Sequence, residues 1–220
     1  MLVGALDDDK VVGFVFSIAG LRDRVPIHWS ELMGVMPDYR NHGLGRRMKL
    51  KQRDLCLAAG VGHIEWSYDP MVARNAHFNI NRLGVNIVDY IPDFYLDTDS
   101  KIHTLKMDRT IAVWNLDSAG VIERINARIA PVPAHDAALI NNPDGSTELD
   151  PLAAGATVRV EIPADIWAVA DDDHDAAKAW QSGVRTSFTN AMAAGFTVSG
   201  FYRDSDTGRC FYVLSNTVER

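Results

Sequence analysis

Residues 35–47 read Val-Met-Pro-Asp-Tyr-Arg-Asn-His-Gly-Leu-Gly-Arg-Arg. An apolar run ends at Pro37, a turn that carries Arg40, Gly43 and Gly45 follows, and a helix then begins with basic residues. Glycine lets the backbone come close to a ligand, and the free N–H groups at the start of a helix point at its oxygens. The order of strand, glycine-containing turn and helix therefore predicts a diphosphate-binding loop.

The composition favours a globular enzyme over a nucleic-acid-binding protein. The chain has 220 residues, of which 47% are hydrophobic and 23% charged, and its net charge is −7. Nucleic-acid-binding domains are more often basic, and no apolar run reaches membrane-spanning length. The N-terminus lacks the basic and apolar regions of a signal peptide. We therefore predict a cytoplasmic protein that binds neither nucleic acid nor membrane.

The two cysteines, Cys56 and Cys210, show no metal-binding spacing. They are typical of reduced thiols in a cytosolic protein. The acidic run 171–173 precedes a predicted helix, where it favours the positive end of the helix dipole. No metal site is therefore predicted.

Apolar alternation predicts strands, and apolar residues at helical spacing predict helices. The predicted strands are 11–18, 28–36, 63–68, 85–90, 109–116, 158–162, 196–202 and 210–214, the first of them paired with a short strand around Ala5. The predicted helices are 44–59, 75–83 and 175–194. This order of elements predicts an α+β fold with a mixed sheet.

Three regions are predicted along the chain. Residues 1–116 form the core that carries the loop. Residues 117–157 form a connecting segment, because Pro131-Val-Pro133 and Asn141-Asn-Pro-Asp-Gly145 are typical of loops. Residues 158–220 form a strand–helix–hairpin subdomain that packs on the core.

The loop has downstream partners at a characteristic distance. Its Arg-x-x-Gly-x-Gly spacing differs from that of dinucleotide and Walker loops. After it come a long helix, a strand, Arg74-Asn75 and the segment Asn79-Ile-Asn-Arg-Leu-Gly84. This combination resembles the GNAT (GCN5-related N-acetyltransferase) superfamily. The resemblance implies a mixed, mostly antiparallel sheet flanked by helices, here with a C-terminal helix–hairpin extension.

Further segments resemble one poorly characterised bacterial group of GNAT proteins. They are Tyr68-Asp-Pro-Met-Val-Ala-Arg-Asn75, Asp108-Arg109 with Trp114-x-Leu116, Ile162-Pro163-Ala-Asp, Arg185 with Phe188, and Ala194-Gly195-Phe196. The resemblance spans about residues 11–214, so the C-terminal half is expected to belong to the same type of protein.

Two features depart from the superfamily pattern. GNAT domains normally have a strand and one or two helices before the hairpin with which this chain begins. The resemblance therefore implies a truncated product or a misplaced start, unless the C-terminal helix and hairpin fill the gap. Many members also place a tyrosine acid where this chain has Ile80. Tyr68, Tyr90 or water would then protonate the leaving thiolate, or the thiolate leaves unassisted.

The resemblance assigns the donor side of the site. Backbone N–H groups of the turn and helix start would bind the pyrophosphate of coenzyme A, and arginines would pair with its oxygens. The strand before the loop would bind the pantetheine arm, and Asn75 would contact the arm or the phosphates. The assigned residues are Gly34, Val35, Met36, Arg40, Asn41, His42, Gly43, Leu44, Gly45, Arg46 and Asn75.

Two carboxylates are candidates for the base that deprotonates the acceptor amine. Glu31 lies on the strand before the loop, where several superfamily members carry a base, and Glu65 on the next strand is the alternative. Each is equally typical of a strand-face carboxylate in a salt bridge. His28 is more typical of a structural histidine, and Arg185 of a packing residue, although an arginine beside aromatic side chains can bind a carboxylate.

These observations predict an acyl-CoA-dependent N-acyltransferase that uses acetyl-CoA and transfers the acyl group directly to a small amine or amino acid. The alternatives are a non-catalytic acyl-CoA-binding or regulatory module and a transferase for a longer donor such as succinyl-CoA. The expected partner is the small-molecule acceptor, and a homodimer is left open.

Overall fold

The computed structural model describes residues 1–94, 105, 107–126 and 129–216. Its strands are β1 (Leu2–Asp7), β2 (Lys10–Arg22), β3 (Val25–Val35), β4 (His63–Tyr68), β5 (Asn86–Ile91), β6 (Arg109–Asn115), β7 (Ala138–Leu139), β8 (Thr157–Ile162), β9 (Thr197–Arg203) and β10 (Cys210–Ser215). Its α-helices are α1 (Leu44–Ala58), α2 (Ala73–Ala76), α3 (Ala119–Asn126), α4 (Ile166–Asp172) and α5 (His174–Ala193).

The strands form two sheets. One has six strands in the order β1-β2-β3-β4-β6-β5, and the other has four in the order β7-β8-β10-β9. The β1–β2, β2–β3, β8–β10 and β9–β10 pairs are antiparallel, whereas β3–β4 and β7–β8 are parallel. The predicted α+β class with a mixed, mostly antiparallel arrangement is confirmed.

Residue contacts divide the chain into two interleaved units. The first contains Met1–Ser67, Arg82–Asn86 and Ala112–Arg128, and the second contains Tyr68–Asn81, Ile87–Ile111 and Ile129–Arg220. The predicted boundaries near residues 116 and 157 stay a prediction about domain organisation.

The first unit begins with two tight hairpins. Asp7 pairs with Lys10 and Arg22 pairs with Val25, so each connection has two residues. Asp23 and Arg24 both have positive φ, at 50° and 70°, as a two-residue turn that matches the twist of its strands requires. The acidic hairpin predicted at the start of the chain is confirmed.

Helix α1 connects β3 to the parallel strand β4. Its buried face consists of Met48, Lys49, Gln52 and Cys56, which share one side of a 3.6-residue helix. Gly60 ends the helix region with φ of 76°, a conformation that glycine adopts without a Cβ penalty. The buried face is therefore partly polar.

The core of the first unit contains two tryptophans and a leucine from segments that are far apart in the chain. Trp114 and Leu83 are fully buried, and Trp114 Nε1 donates to the Leu83 carbonyl at 2.9 Å. The ring of Trp66 meets that of Trp114 edge to face, with 6.2 Å between centroids. Segments that are distant in sequence thus complete this core.

The second unit packs α5 against the four-stranded sheet through aromatic side chains. Phe188 on α5 stacks on Tyr90 at 5.1 Å and meets Tyr212 edge to face at 5.0 Å. The loop before β8 approaches α5 so closely that a Cβ on Gly145 would lie 2.7 Å from the Ala179 carbonyl oxygen. Only glycine fits at this position.

Several elements differ from the sequence-based expectations. The connecting segment contains the unpredicted helix α3, and α4 precedes α5. The predicted helix 75–83 becomes α2 followed by a π-helical segment, His77–Leu83. The acidic run precedes α5 and also caps it, because Asp173 accepts from Asp175 N–H and Ala176 N–H at the start of the helix. Across the ranges given above, no helix is long and apolar enough to span a membrane.

Candidate functional site

The turn between β3 and α1 is held by its own backbone. A 3₁₀ turn, Pro37–Tyr39, ends where Arg40 N–H donates to the Pro37 carbonyl at 3.1 Å. Asn41 and Gly43 then adopt left-handed backbone conformations, with φ of 64° and 74°. Asparagine and glycine are the residues that visit this region most readily, and here they direct the chain into α1.

The start of α1 presents a group of unused backbone donors. The first helical hydrogen bond runs from Arg47 N–H to the Gly43 carbonyl at 3.0 Å, and no side chain caps the helix. In the described part of the chain, no carbonyl or side chain accepts from the N–H groups of residues 41–46. Such a group, at the positive end of a helix dipole, favours an anion.

Gly43 and Gly45 differ in whether the backbone requires a glycine. Gly43 needs its positive φ, and a Cβ there would meet open space. Gly45 has ordinary helical geometry, and its Cβ would only touch the flexible end of Met33 at 3.4 Å. The fold itself therefore does not require glycine at position 45, and the missing side chain leaves the backbone there open to close approach.

The arginines of the loop have contacts of their own. Arg40 is exposed, and its Nε donates to the Val35 carbonyl at 3.0 Å. Arg46 donates from Nη2 to the Ile125 carbonyl at the end of α3. Each guanidinium keeps further N–H donors. Their pairing with phosphate stays a prediction, and the structure gives Arg46 a structural contact as well.

Strands β3 and β4 part beside the loop. Their parallel ladder consists of three pairs, Ile27–His63, His28–Ile64 and Trp29–Glu65, whereas β3 continues to pair with β2 as far as Val35. Beyond Trp29, the β4-facing edge of β3 has no ladder partner among the described pairings. This fork leaves backbone donors and acceptors available to an extended ligand.

Backbone direction shows which residues of β3 face the fork. Met36 N–H donates to the Val12 carbonyl at 2.9 Å, so Met36 faces β2. The neighbouring Val35 directs its carbonyl away from β2, to Arg40. Because residues of an antiparallel pair face the partner strand alternately, Met33 and Val35 present their N–H groups to the fork, and Gly34 faces β2.

Glu31 occupies an irregularity of β3. Phe16 pairs with Leu32 while Ser17 pairs with Ser30, so Glu31 is an extra residue that no residue of β2 opposes. Bulges of this kind redirect side chains and are frequent next to active sites. The Glu31 carboxylate is exposed and accepts from Trp29 Nε1 at 2.7 Å, which orients it.

Glu65 is held in an ion pair. Its carboxylate is buried, and both oxygens accept from Nε of Arg22, at 2.8 and 2.7 Å. The pair raises the pKa of Arg22, chiefly through the hydrogen bond to Glu65. Both oxygens of Glu65 are engaged with Arg22, whereas the Glu31 carboxylate is exposed, so the geometry favours Glu31 as the base.

Residues 1–78 match the sequence model of the acetyltransferase (GNAT) family. This segment is similar to the GNAT acetyltransferase domain. It contains the fork, the loop and α1. A comparison with curated protein sequences gives no match.

Solved GNAT structures resemble the chain weakly. The ribosomal-protein-S18-alanine N-acetyltransferase from Escherichia coli is 21% identical, with a TM-score of 0.44 over 55% of this chain and 71% of that one. Naa50 from Arabidopsis thaliana, solved with a bisubstrate analogue, is 18% identical, with a TM-score of 0.40 over 48% and 66%. A GNAT acetyltransferase from Streptococcus pneumoniae is 18% identical, with a TM-score of 0.43 over 51% and 64%. At these scores the likeness adds nothing to the match of residues 1–78.

Asn75 lies in the second compact unit. Its N–H donates to the Val72 carbonyl at 2.9 Å at the start of α2. Its contact with the pantetheine arm or the phosphates stays a prediction.

Both tyrosine candidates for the acid are buried within the second unit. Burial raises the pKa of Tyr68 to about 12, and its hydroxyl lies 3.5 Å from that of Tyr212. The Tyr90 hydroxyl donates to Asp108 at 2.7 Å, and burial raises its pKa strongly. Ile80 is also buried. Both hydroxyls therefore have structural partners, which favours departure of the thiolate without a tyrosine acid.

His28 and Arg185, which the sequence also singled out, both have partners within the fold. His28 is buried beside the Ser17 hydroxyl at 2.9 Å, and burial lowers its pKa, in agreement with a structural histidine. Arg185 donates to the carboxylates of Asp93 and Asp108. The guanidinium is thus already paired with two carboxylates inside the second unit.

Lys49 is a polar residue of α1 that its sequence pattern did not single out. Only 3% of it is exposed. The available signal was its position next to Met48 and three residues before Gln52, on the face that turns inward. In the described ranges, no group of three or more potential ligands forms a metal site.

Proposed function

We propose that this protein is a cytoplasmic acyl-CoA-dependent N-acyltransferase that transfers acetyl from acetyl-CoA directly to a small amine or amino acid. The observation that carries the proposal is the loop before α1, where unused N–H groups converge and Gly45 leaves space that the fold does not need. The GNAT match of residues 1–78 supports the same reaction class.

The donor would be held at two places. Backbone N–H groups of residues 41–46 bind the pyrophosphate, and Arg40 and Arg46 add charge to its oxygens. The pantetheine arm lies along β3 in the fork, where the backbone of residues 34–36 was predicted to bind it. The alternation of β3 supports donation from Met33 and Val35 in particular. The contact of Asn75 with the arm or the phosphates stays part of the proposal.

The reaction itself needs a held donor, a polarised carbonyl and a neutral amine. The amine nitrogen attacks the thioester carbon, the C–S bond breaks, and coenzyme A leaves as the thiolate. Before the attack, Glu31 takes one proton from the acceptor ammonium, directly or through one water, and Glu65 is the alternative base. The second proton leaves the nitrogen as the amide forms and ends on the thiolate. A fork-facing N–H of β3 stabilises the oxygen that becomes negative.

The binding step is tested by thermal stabilisation with acetyl-CoA. At 100 times the dissociation constant we expect about 2.7 kcal/mol of stabilisation, or roughly 5–10 °C for a chain of this size. Gly45→Val should lose most of this shift, because its side chain projects into the cradle. Gly120→Val is the matched control, since Gly120 is also the second residue of its helix and a Cβ there would meet nothing within 4 Å.

An equal acetyl-CoA shift in wild type and Gly45→Val, or no shift in wild type, would contradict the proposed donor site. Loss in Gly45→Val together with a normal shift in Gly120→Val supports it.

Catalysis is tested by release of the free thiol across a panel of amines and amino acids. Thiol release that requires an amine supports the transferase. Stabilisation by acetyl-CoA without thiol release would support the alternative, a non-catalytic acyl-CoA-binding or regulatory module. Faster release from succinyl-CoA than from acetyl-CoA would identify the longer donor.

A further inference from the structure

Lys49 lies at the point where β3 and β4 part. The last ladder pair is Trp29–Glu65. The next residue of each strand, Ser30 and Trp66, contacts the Lys49 ammonium: Nζ donates to Ser30 Oγ at 2.9 Å and lies 3.8 Å from the centroid of the Trp66 ring. A side chain of α1 thus joins the two strands where their backbone ladder stops.

The surroundings of this ammonium are neutral. Its third contact is Gln52 Oε1 at 3.1 Å, so the hydroxyl, the amide oxygen and the indole face match its three N–H donors. In the part of the chain that the structure describes, no carboxylate pairs with it. A buried charge without a carboxylate is costly, and an apolar side chain of similar length would fill the same space at less cost.

We propose that Lys49 is a positioning residue for the acyl-transfer reaction, which holds the β3–β4 fork open and fixes the bulge that orients Glu31. The inference rests on the proposed function, because the fork is where the acyl arm of the donor would lie. Ser30 is the residue before Glu31, so a bond to its hydroxyl restrains the bulge directly. Lys49 acts through β3 and does not itself touch the reacting atoms.

Burial also makes the charge of Lys49 dependent on pH near neutrality. Desolvation lowers its pKa from 10.5 to about 7. The titratable groups on the neighbouring elements are Cys56, His28, the Met1 amino group and Glu65. Burial raises the pKa of the Cys56 thiol. The other three have partners of their own: His28 contacts the Ser17 hydroxyl, Met1 the Ser17 carbonyl and Glu65 the Arg22 guanidinium. The ammonium, and with it the restraint on Ser30, therefore weakens as the pH rises through this range.

The test compares wild type, Lys49→Met and the exposed control Lys51→Met of the same helix. For each we measure affinity for acetyl-CoA and for 3′-phosphoadenosine 5′-diphosphate, which carries the diphosphate without the arm, together with kcat as a function of pH. We expect Lys49→Met to lower kcat/KM for acetyl-CoA about tenfold, the effect of one charge-assisted hydrogen bond, and to leave nucleotide affinity unchanged. The change in kcat near pH 7 that titration of Lys49 causes in wild type should be absent from Lys49→Met.

Ser30→Ala removes the acceptor on β3 and should reproduce the loss. The double variant should then be no worse than either single variant, because both changes break the same bond. Independent, additive losses would contradict the proposed link through Ser30.

The folded state of each variant is checked by thermal melting. Between about pH 7 and 10.5 the unfolded chain binds one more proton at this lysine than the folded chain, so the stability of wild type rises with pH across that window. Lys49→Met should melt above wild type at pH 7, by an amount that shrinks as the pH rises.

A correctly folded Lys49→Met protein with unchanged kcat/KM and an unchanged pH profile would overturn the inference about Lys49 and leave the proposed function standing. A wild-type protein that binds neither acetyl-CoA nor the nucleotide would overturn the proposed function and this inference together.

Discussion

The Glu31→Gln protein is expected to transfer acetyl with a kcat about 10²–10⁴-fold below that of wild type, the usual contribution of a positioned base. Glutamine keeps the size of the side chain and can still accept a hydrogen bond from Trp29 Nε1, but it cannot take a proton. Glu31 is exposed and lies on a bulge, so the substitution should leave melting temperature and affinity for acetyl-CoA unchanged. The measurement is kcat at saturating amine, with thermal melting alongside.

Glu65→Gln provides the matched comparison. It removes one charge from the buried pair with Arg22, so it should reduce stability more than Glu31→Gln does, with a smaller effect on kcat in the folded protein. The opposite pattern, with kcat lost in Glu65→Gln and retained in Glu31→Gln, would assign the base to Glu65.

The Asp108→Ala protein is expected to be about 3–5 kcal/mol less stable than wild type, which is typical when a buried ion pair loses one partner. The side chain of Asp108 is 1% exposed. It accepts from the Tyr90 hydroxyl at 2.7 Å, from Arg185 Nε at 3.0 Å and from Asp93 N–H at 3.0 Å. Alanine would leave the Tyr90 hydroxyl buried without its acceptor, and urea denaturation monitored by fluorescence measures the loss.

Asp93→Ala is the control for this prediction. Asp93 pairs with the same guanidinium, but its side chain is 46% exposed, so its ion pair is screened by solvent and its loss should cost about 1 kcal/mol or less. Equal losses for the two variants would show that the burial of Asp108 contributes nothing, contrary to the prediction.

Local signals made the secondary structure around the candidate donor loop predictable from sequence. The turn 37–43 and the start of α1 depend on residues that are adjacent in the chain, so the order of strand, glycine-containing turn and helix could be predicted. The first hairpin was equally local. The bulge at Glu31 could not be predicted from sequence. It depends on how β3 aligns with β2, and the alternation of residues along one strand does not specify that register.

The contacts that the sequence did not indicate involve partners that are far apart in the chain. Arg46 contacts the carbonyl of Ile125, 79 residues away, and Arg185 pairs with Asp108, 77 residues away. Helix α3 was missed because it has only eight residues and a glycine in its first turn, so its own sequence gives little helix signal. Burial of Val121 and the contact with Arg46 stabilise it instead.

The interleaving of the two compact units has a consequence for synthesis on the ribosome. The segment that matches the GNAT family ends at residue 78, but the first unit also needs Leu83 and Trp114, both fully buried. This unit therefore cannot complete its core until translation has passed Trp114, and the nascent chain must keep β1–β4 from aggregating for that time. A recombinant fragment that stops at residue 78 is accordingly expected to be insoluble, whereas one that continues through residue 128 contains every segment of the first unit.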